Sequence, residues 1–409
     1  MSDVAGISAV GPRRVVTVSP DFLLASAALA ALIFVPVLRA HGALLFLAAG
    51  TALCARYWQR SIVSCLRHWY LLLLPCFCLL SFAWSQYPAQ SFRYGLQLLA
   101  TVIIAVVIAM RLSPKMFGRL LFVFFGIAMI ASILFGEVRG DTGAWLGIYG
   151  SKNALAGAAA TFIVIAASQI LDGSAPYGYR LLAVFGGLIG CVLLLLAQSV
   201  SAMAVVPPAI LIQLGLLLYY RMSSAERFVS VSGLTLLGLL LAILIATNFS
   251  ALEALMLETT GKDATLTGRT DLWDVALRFI RERPFLGMGY QAFWVHGHAP
   301  AEALWAYFGI DGRSGFNFHN TYLSNAVEIG ILGVGLQIFV LYGAAILTCV
   351  WAVTSHRAEA ALMFVMVVIV IIISFVEVPI FFQFSLRSVL IICAFVYGVE
   401  GVRANGRWR

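Results

Sequence analysis

Apolar positions in this chain neither alternate nor recur as one-sided stripes. They run on almost unbroken for about 20 residues at a time, the length that carries an α-helix across a bilayer. Bounded by charge and turn clusters, the runs fall at 22–38, 42–55, 69–83, 93–110, 116–135, 154–171, 181–197, 202–220, 229–247, 320–350, 360–376 and 380–399. The pattern predicts an all-α fold, a polytopic transmembrane helix bundle of about 12 spans. Residues 22–247 hold the first nine spans and 320–399 the last three, leaving 248–318 as a long polar connection within one membrane domain, 1–409. The runs at 42–55, 69–83 and 360–376 suit re-entrant segments as well. Pro36, Pro75, Pro207 and Pro208 are expected to kink or interrupt their helices.

Composition agrees: 62% of residues are hydrophobic and 11% charged, which excludes an ordinary soluble domain. The 26 Lys and Arg against 18 Asp and Glu report topology in such a chain, and no nucleic-acid partner is expected. With the amino terminus inside, fifteen basic residues fall on the cytoplasmic side and eleven outside, six of these in the long connection, where the positive-inside bias has little force. Both termini are therefore expected in the cytoplasm, with 248–318 as one large periplasmic loop of a multi-pass inner-membrane protein. The first run is read as a retained span, since a basic segment follows it and no processing site is evident. Seven cysteines, at 54, 65, 76, 78, 191, 349 and 393, lie in or beside spans and form neither a disulfide framework nor a metal pair.

Chemistry is expected in the long loop. "TGRTDLWDVALRFIRERP" reads as an amphipathic helix. Leu272, Val275, Ala276, Phe279 and Ile280 form its apolar stripe, Arg278, Arg281 and Arg283 gather near its end, and Pro284 stops it. A plain lid helix on the bundle surface accounts for the same features. Gly287 and Gly289 permit a tight turn or a close backbone approach, but no phosphate loop surrounds them. His296 and His298 lack a carboxylate or cysteine at ligand spacing, so no metal and no cofactor is expected. His319 stands where a polar loop meets a span, beside Asn320, and can accept a proton from a hydroxyl; hydrogen bonding at a helix start is the plainer role. Glu328, further down the same span, needs an interior partner, an arginine or a polar helix across the cavity. Arg93, Arg139, Lys152, Arg269 and Arg313 all fall on the outer side, where convergence would suit a phosphate-bearing substrate.

Four segments carry a resemblance: "WSQYPAQSFR" at 84–93, "GIYGSKNALAG" at 147–157, "LTGRTDLWDVALRFIRERPFLGMGYQAF" at 266–293 and "FHNTYLSNAVEIGILGVG" at 318–335. In these, and in layout across nearly its whole length, the chain resembles the O-antigen ligase and polysaccharide polymerase superfamily, leaning toward the exopolysaccharide polymerases. The resemblance implies a donor glycan on undecaprenyl pyrophosphate, transfer to another lipid-linked repeat or to lipid A core, and neither a nucleotide sugar nor a metal. It places the family's "HN-x-x-L" histidine on His319, its "GR-x-x-x-W" arginine on Arg269, and its "KN" pair on Lys152 and Asn153. The chain departs at "LLAQSVSAMAVV", 195–206, where Met203 stands in place of a basic residue.

The expected activity is thus a membrane glycosyltransferase, an exopolysaccharide or O-antigen-type polymerase. His319 and Arg269 would be catalytic, with Lys152, Asn153, Asn320, Arg93, Arg139 and Arg313 binding substrate. Expected partners are the lipid-linked oligosaccharide, membrane lipid, a chain-length regulator and export proteins. An O-antigen ligase is the near alternative. A transporter or flippase is the distant one, with the prolines, Glu328 and Glu377 read as broken helices and an ion path. A structural subunit of an export complex would leave the loop charges without a substrate.

Overall fold

A computed structural model of the chain describes residues 19–406, apart from 141, 220, 231, 234, 235, 237–239, 241–268 and 314. Most of the expected span at 229–247 and the start of the loop at 248–268, with Lys262 and Thr267, lie outside the described residues.

Ser19 caps the first helix, its Oγ accepting from the Phe22 N–H. Helix α1 (Pro20–Ile33) ends ahead of a single turn, α2 (Val35–Leu38), that contains Pro36. Helix α3 (Ala40–Arg56) folds back, and Arg56 Nε meets Asp21 Oδ1 at 3.0 Å, tying its end to the start of α1. Helix α4 (Trp58–Arg67) bends by 86° into a short helical stretch, Trp69–Ala83, that includes α5 (Leu73–Leu80). Then come α6 (Pro88–Arg111), α7 (Pro114–Phe135), a small antiparallel hairpin pairing β1 (Glu137–Val138) with β2 (Trp145–Gly147), α8 (Lys152–Leu171), α9 (Tyr177–Leu196) and α10 (Val200–Tyr219). Helix α10 continues through Pro207 and Pro208. The later elements are α11 (Arg269–Glu282), α12 (Ala299–Tyr307), α13 (Thr321–Thr354), α14 (Ala358–Ser374) and α15 (Leu386–Gly406).

The fold is an all-α, multi-span membrane bundle, but the expectation of about 12 spans is corrected. Among the described residues six helices are long and apolar enough to cross a membrane, namely α6, α7, α8, α9, α10 and α13, or seven if the bent α4–α5 stretch is one span. The overcount came from accepting short runs. Helices α1, α3 and α14 have 14, 17 and 17 residues, against roughly 20 needed to cross about 30 Å of hydrocarbon at about 1.5 Å per residue. Helix α15 has the length but carries Arg387, Glu400 and Arg403. The topology inferred from twelve crossings, with both termini on one side, loses its basis with that count.

Ion pairs collect at the two ends of the bundle. At one end Lys115 meets Asp172 at 2.7 Å, Arg67 meets Glu400 at 2.7 Å and Arg56 meets Asp21. At the other, Arg269, His319 and Glu377 come together.

The loop between α11 and α12 seats against a break in α13. Gly330 has φ +62° and ψ −176°, which interrupts that helix a few turns in. Backbone groups freed there pair with the loop: Met288 N donates to Val327 O at 2.9 Å, Gly289 N to Glu328 O at 2.8 Å and Ile331 N to Pro284 O at 2.8 Å. Two backbones so close leave no room for a side chain. A Cβ on Gly287, itself at φ +66°, would lie 2.5 Å from the Glu328 carbonyl. Glu328 thereby finds a partner different from the expected arginine or polar helix, since its Oε2 accepts from the Gln291 N–H at 2.9 Å.

Candidate active site

The apolar stripe of α11 buries Leu272 and Ala276 in a small core of its own with Met288, Phe293, Ala301, Leu304, Trp305, Phe318 and Val327. This core fixes α11 over the start of α13 and presents Arg269, the first residue of α11, to the loop after α14. Arg278, Arg281 and Arg283 stay exposed on the outer face. His298 is buried, its Nδ1 2.7 Å from Phe293 O, and the His296 ring lies against Trp305, so both imidazoles serve the small core. Among the described residues no group of His, Cys, Asp and Glu is gathered closely enough to hold a metal ion.

The sequence Phe316–Asn317–Phe318–His319–Asn320 explains how His319 is held. Asn317 Oδ1 accepts from the His319 N–H at 2.7 Å, an Asx-type turn. Trp273 Nε1 donates to Phe318 O at 2.8 Å, linking the turn to α11. Asn320 then caps α13, its Oδ1 accepting from the Tyr322 and Leu323 N–H groups at 3.0 Å each, while its Nδ2 donates to Phe375 O. Between these anchors His319 takes φ +48°, a left-handed conformation that costs a non-glycine residue about 1–2 kcal/mol. The surrounding hydrogen bonds sustain that strain, and its location is a reason to look for chemistry there.

His319 Nδ1 lies 3.1 Å from Glu377 Oε2, and Arg269 Nη2 lies 3.3 Å from Glu377 Oε1. Arg269 Nη1 also donates to Val376 O at 2.8 Å, and Thr321 Oγ1 donates to Glu377 O at 2.7 Å. Partial burial alone would raise the Glu377 carboxyl, but the His319 hydrogen bond and charge, with Arg269 beside it, more than offset this and hold it below its ordinary value. An ionised carboxylate only accepts hydrogen bonds, so Nδ1 of His319 carries a proton, and in the neutral form of the ring Nε2 keeps its lone pair. The side chains are 27% exposed for His319, 44% for Glu377 and 21% for Arg269, so solvent or a ligand reaches the group.

The other expected residues are spread more widely. Arg313 pairs with Glu302 at 3.1 Å. Arg93 is exposed and lies over the Tyr94 ring within α6. Arg139 sits in the turn of the small hairpin, exchanging backbone hydrogen bonds with Ala144 and Gly143. Lys152 and Asn153 begin α8, and Asn153 Oδ1 accepts from Ser199 Oγ at 3.5 Å. The structure thus brings together Arg269, His319 and Asn320 and adds Glu377, which sequence reasoning had placed only in the transport alternative. Its signal was a lone carboxylate in the apolar "FVEVPIFF" segment, directly after a helix.

Helices of this length, with an imidazole, a carboxylate and a guanidinium in contact at one end, define a polytopic membrane protein with a solvent-accessible polar cluster. In sequence the chain is similar to the O-antigen ligase and exopolysaccharide polymerase-like proteins. Residues 185–338 match the family described as O-Antigen ligase, a stretch that includes Arg269, His319 and Asn320 but not Glu377. The chain is similar to the Exopolysaccharide production protein ExoQ of Rhizobium meliloti (strain 1021), 29% identical over 320 residues that cover 77% of this chain and 73% of that protein. It is a multi-pass inner-membrane protein.

Proposed function

We propose that the protein is a polysaccharide polymerase that transfers a glycan from undecaprenyl pyrophosphate to the acceptor sugar of another lipid-linked repeat, at the periplasmic face. The observation that carries this reading is the His319–Glu377–Arg269 group at one end of the bundle. His319 Nε2 takes the proton of the acceptor hydroxyl as its oxygen attacks the anomeric carbon, while Glu377 stabilises the imidazolium that forms. The bond from the anomeric carbon to the pyrophosphate oxygen breaks, the electron pair leaves with undecaprenyl pyrophosphate, and the anomeric centre inverts. Arg269, held by Glu377 and the Val376 carbonyl, turns its remaining N–H groups to the leaving pyrophosphate. Asn320 sets the angle of His319.

Purified protein incubated with undecaprenyl-pyrophosphate-linked repeats is expected to give longer lipid-linked chains and free undecaprenyl pyrophosphate. His319→Ala should give neither, whereas His296→Ala should retain both. The family description favours a second reading, a ligase; transfer to lipid A core without chain lengthening would select it. Wild-type protein that yields no new glycan linkage under either condition would refute the glycosyl-transfer reading.

A further inference from the structure

At the end of the bundle remote from His319, three arginines surround one tyrosine. Helix α6 has 24 residues, a length of about 35 Å. Its first turn lies by the α11–α12 loop through Ser91, Ser85 and Gly289, and its last residue is Arg111. Tyr57 sits at the joint between α3 and α4, and the guanidinium carbons of Arg56, Arg60 and Arg111 lie 5.3, 5.2 and 5.4 Å from its ring centroid. Among the described residues a single carboxylate answers them: Asp21 lies 3.0 Å from Arg56 and 3.9 Å from Arg111. Arg60 has no ion pair among the described residues, and Arg111 Nε is buried without a hydrogen-bond partner. Three cations against one anion leave an excess of positive charge beside an open cleft of about 350 Å³ lined by Gln59, Arg60, Val63, Ser64, Met110 and Arg111.

What surrounds the cleft selects its occupant. Trp58, Ile62, Leu66 and Trp69 form an exposed apolar stripe along α4 and just beyond, while Ser61 and Ser64 on its other side are buried. A helix with tryptophans and apolar residues on its free face and arginines beside them lies in the membrane interface, at the depth of lipid headgroups. Planar guanidinium forks suit phosphate oxygens, and Val63 and Met110 offer apolar contact for the start of acyl chains. We propose that this cleft binds the phosphate of an anionic membrane phospholipid, with Arg60 and Arg111 as its ligands and Tyr57 as the platform that holds them.

The test is native mass spectrometry of the full-length protein in mild detergent with phosphatidylglycerol or phosphatidylcholine. Wild-type protein should retain one phosphatidylglycerol at lipid concentrations where phosphatidylcholine is lost. Arg60→Gln removes a residue with no ion pair to break and should weaken retention by about fivefold, the effect of one basic residue at a lipid surface. Arg67→Gln, which loses a pair with Glu400 instead, should leave retention unchanged. Tyr57→Leu, which removes the platform and keeps all three charges, should also weaken it. Equal retention in wild type and Arg60→Gln overturns the proposal, as does an equal loss in Arg67→Gln, which would mark general surface charge. A competition arm separates the sources of phosphate. Glycerophosphoglycerol or inorganic phosphate at matched concentration should not displace the lipid, and displacement would show a soluble-anion site in place of a lipid site.

Discussion

Glu377→Gln tests the site at its least expected member. Glutamine keeps the size and an acceptor oxygen for the His319 Nδ1–H at the present 3.1 Å, but removes the charge that faces both the imidazole and Arg269. Two unit charges about 4 Å apart interact by roughly 4 kcal/mol near a protein surface. With the Glu377 side chain 44% exposed, about half of that survives screening. Lost stabilisation of the developing imidazolium is then about 2 kcal/mol of barrier, roughly a 30-fold fall in rate. An amide that turned its NH₂ toward Nδ1 would move the ring proton to Nε2 and deepen the loss. Stability should barely change, because exposed pairs of this kind contribute only about 0.2–1 kcal/mol. The assay is the rate of lipid-linked chain growth by purified protein, with thermal unfolding measured on the same sample. A variant that keeps more than about a third of the wild-type rate and an unchanged Tm would refute the coupling between Glu377 and His319.

Arg269→Lys should remain impaired at matched protein level, because lysine cannot span the Val376 carbonyl, the Glu377 carboxylate and a phosphate oxygen together, whereas Arg281→Lys on the exposed face should be nearly silent; equal glycan output from both would remove Arg269 from the mechanism. The depressed Glu377 carboxyl stabilises the fold above its unfolded value, near 4.5, and loses that contribution as pH falls through the lower folded value. The small difference in Tm between wild type and Glu377→Gln, worth only about 0.2–1 kcal/mol of stability, should accordingly hold from pH 7 to 5 and shrink only below about 4.5, and shrinkage beginning near pH 6 would contradict the assignment. Gly287→Ala places a Cβ 2.5 Å from the Glu328 backbone, while Gly297→Ala, at φ +83°, meets open space. The first should lose folded protein or cost several kcal/mol, the second about 1–2 kcal/mol of backbone strain, and similar melting of the two would refute the close approach. A cysteine at Asp311 should react with an impermeant thiol reagent in cells with a permeabilised outer membrane and one at Ser224 should not, the reverse pattern overturning a periplasmic site.

The membrane class and the helix at 269–282 were legible because both rest on patterns local to the chain. Continuous apolarity specifies helices that hydrogen-bond internally whatever their neighbours do. Helix α11 is written twice over, in its apolar stripe and in the proline after it. Span number was not legible in the same way. A largely apolar helix of 14 residues such as α1 is compatible with a crossing, a half-crossing or a buried hairpin arm, and packing against α3 decides among these. The break in α13 was hidden for a similar reason. Gly330 stands in an apolar run that reads as unbroken helix, and only a second backbone, from Pro284 to Gln291, makes the break favourable.

The site was half legible, and the dividing line is charge pairing across long stretches of sequence. His319 and Asn320 announced themselves through helix-start chemistry, and Arg269 through the resemblance; both kinds of signal travel with a short segment. Glu377 lies 58 residues beyond His319 and 108 beyond Arg269, in a loop without any motif. Yet an arginine and a histidine at the rim of an apolar bundle pose a question that could have been asked of the sequence: which of the few carboxylates outside the polar loop can reach them? Glu328 shows why that question has no unique answer from sequence. It was expected to meet an arginine or a polar helix, and it is met by the Gln291 N–H that the loop turns toward it. A carboxylate in a low-dielectric setting takes whichever donor the fold frees nearby, and a broken helix frees backbone donors as readily as a neighbouring helix supplies a guanidinium. Charge counting narrows the candidates, but only the positions of Gly330 and the turn at His319 sort Glu328 to the backbone and Glu377 to the reactive group.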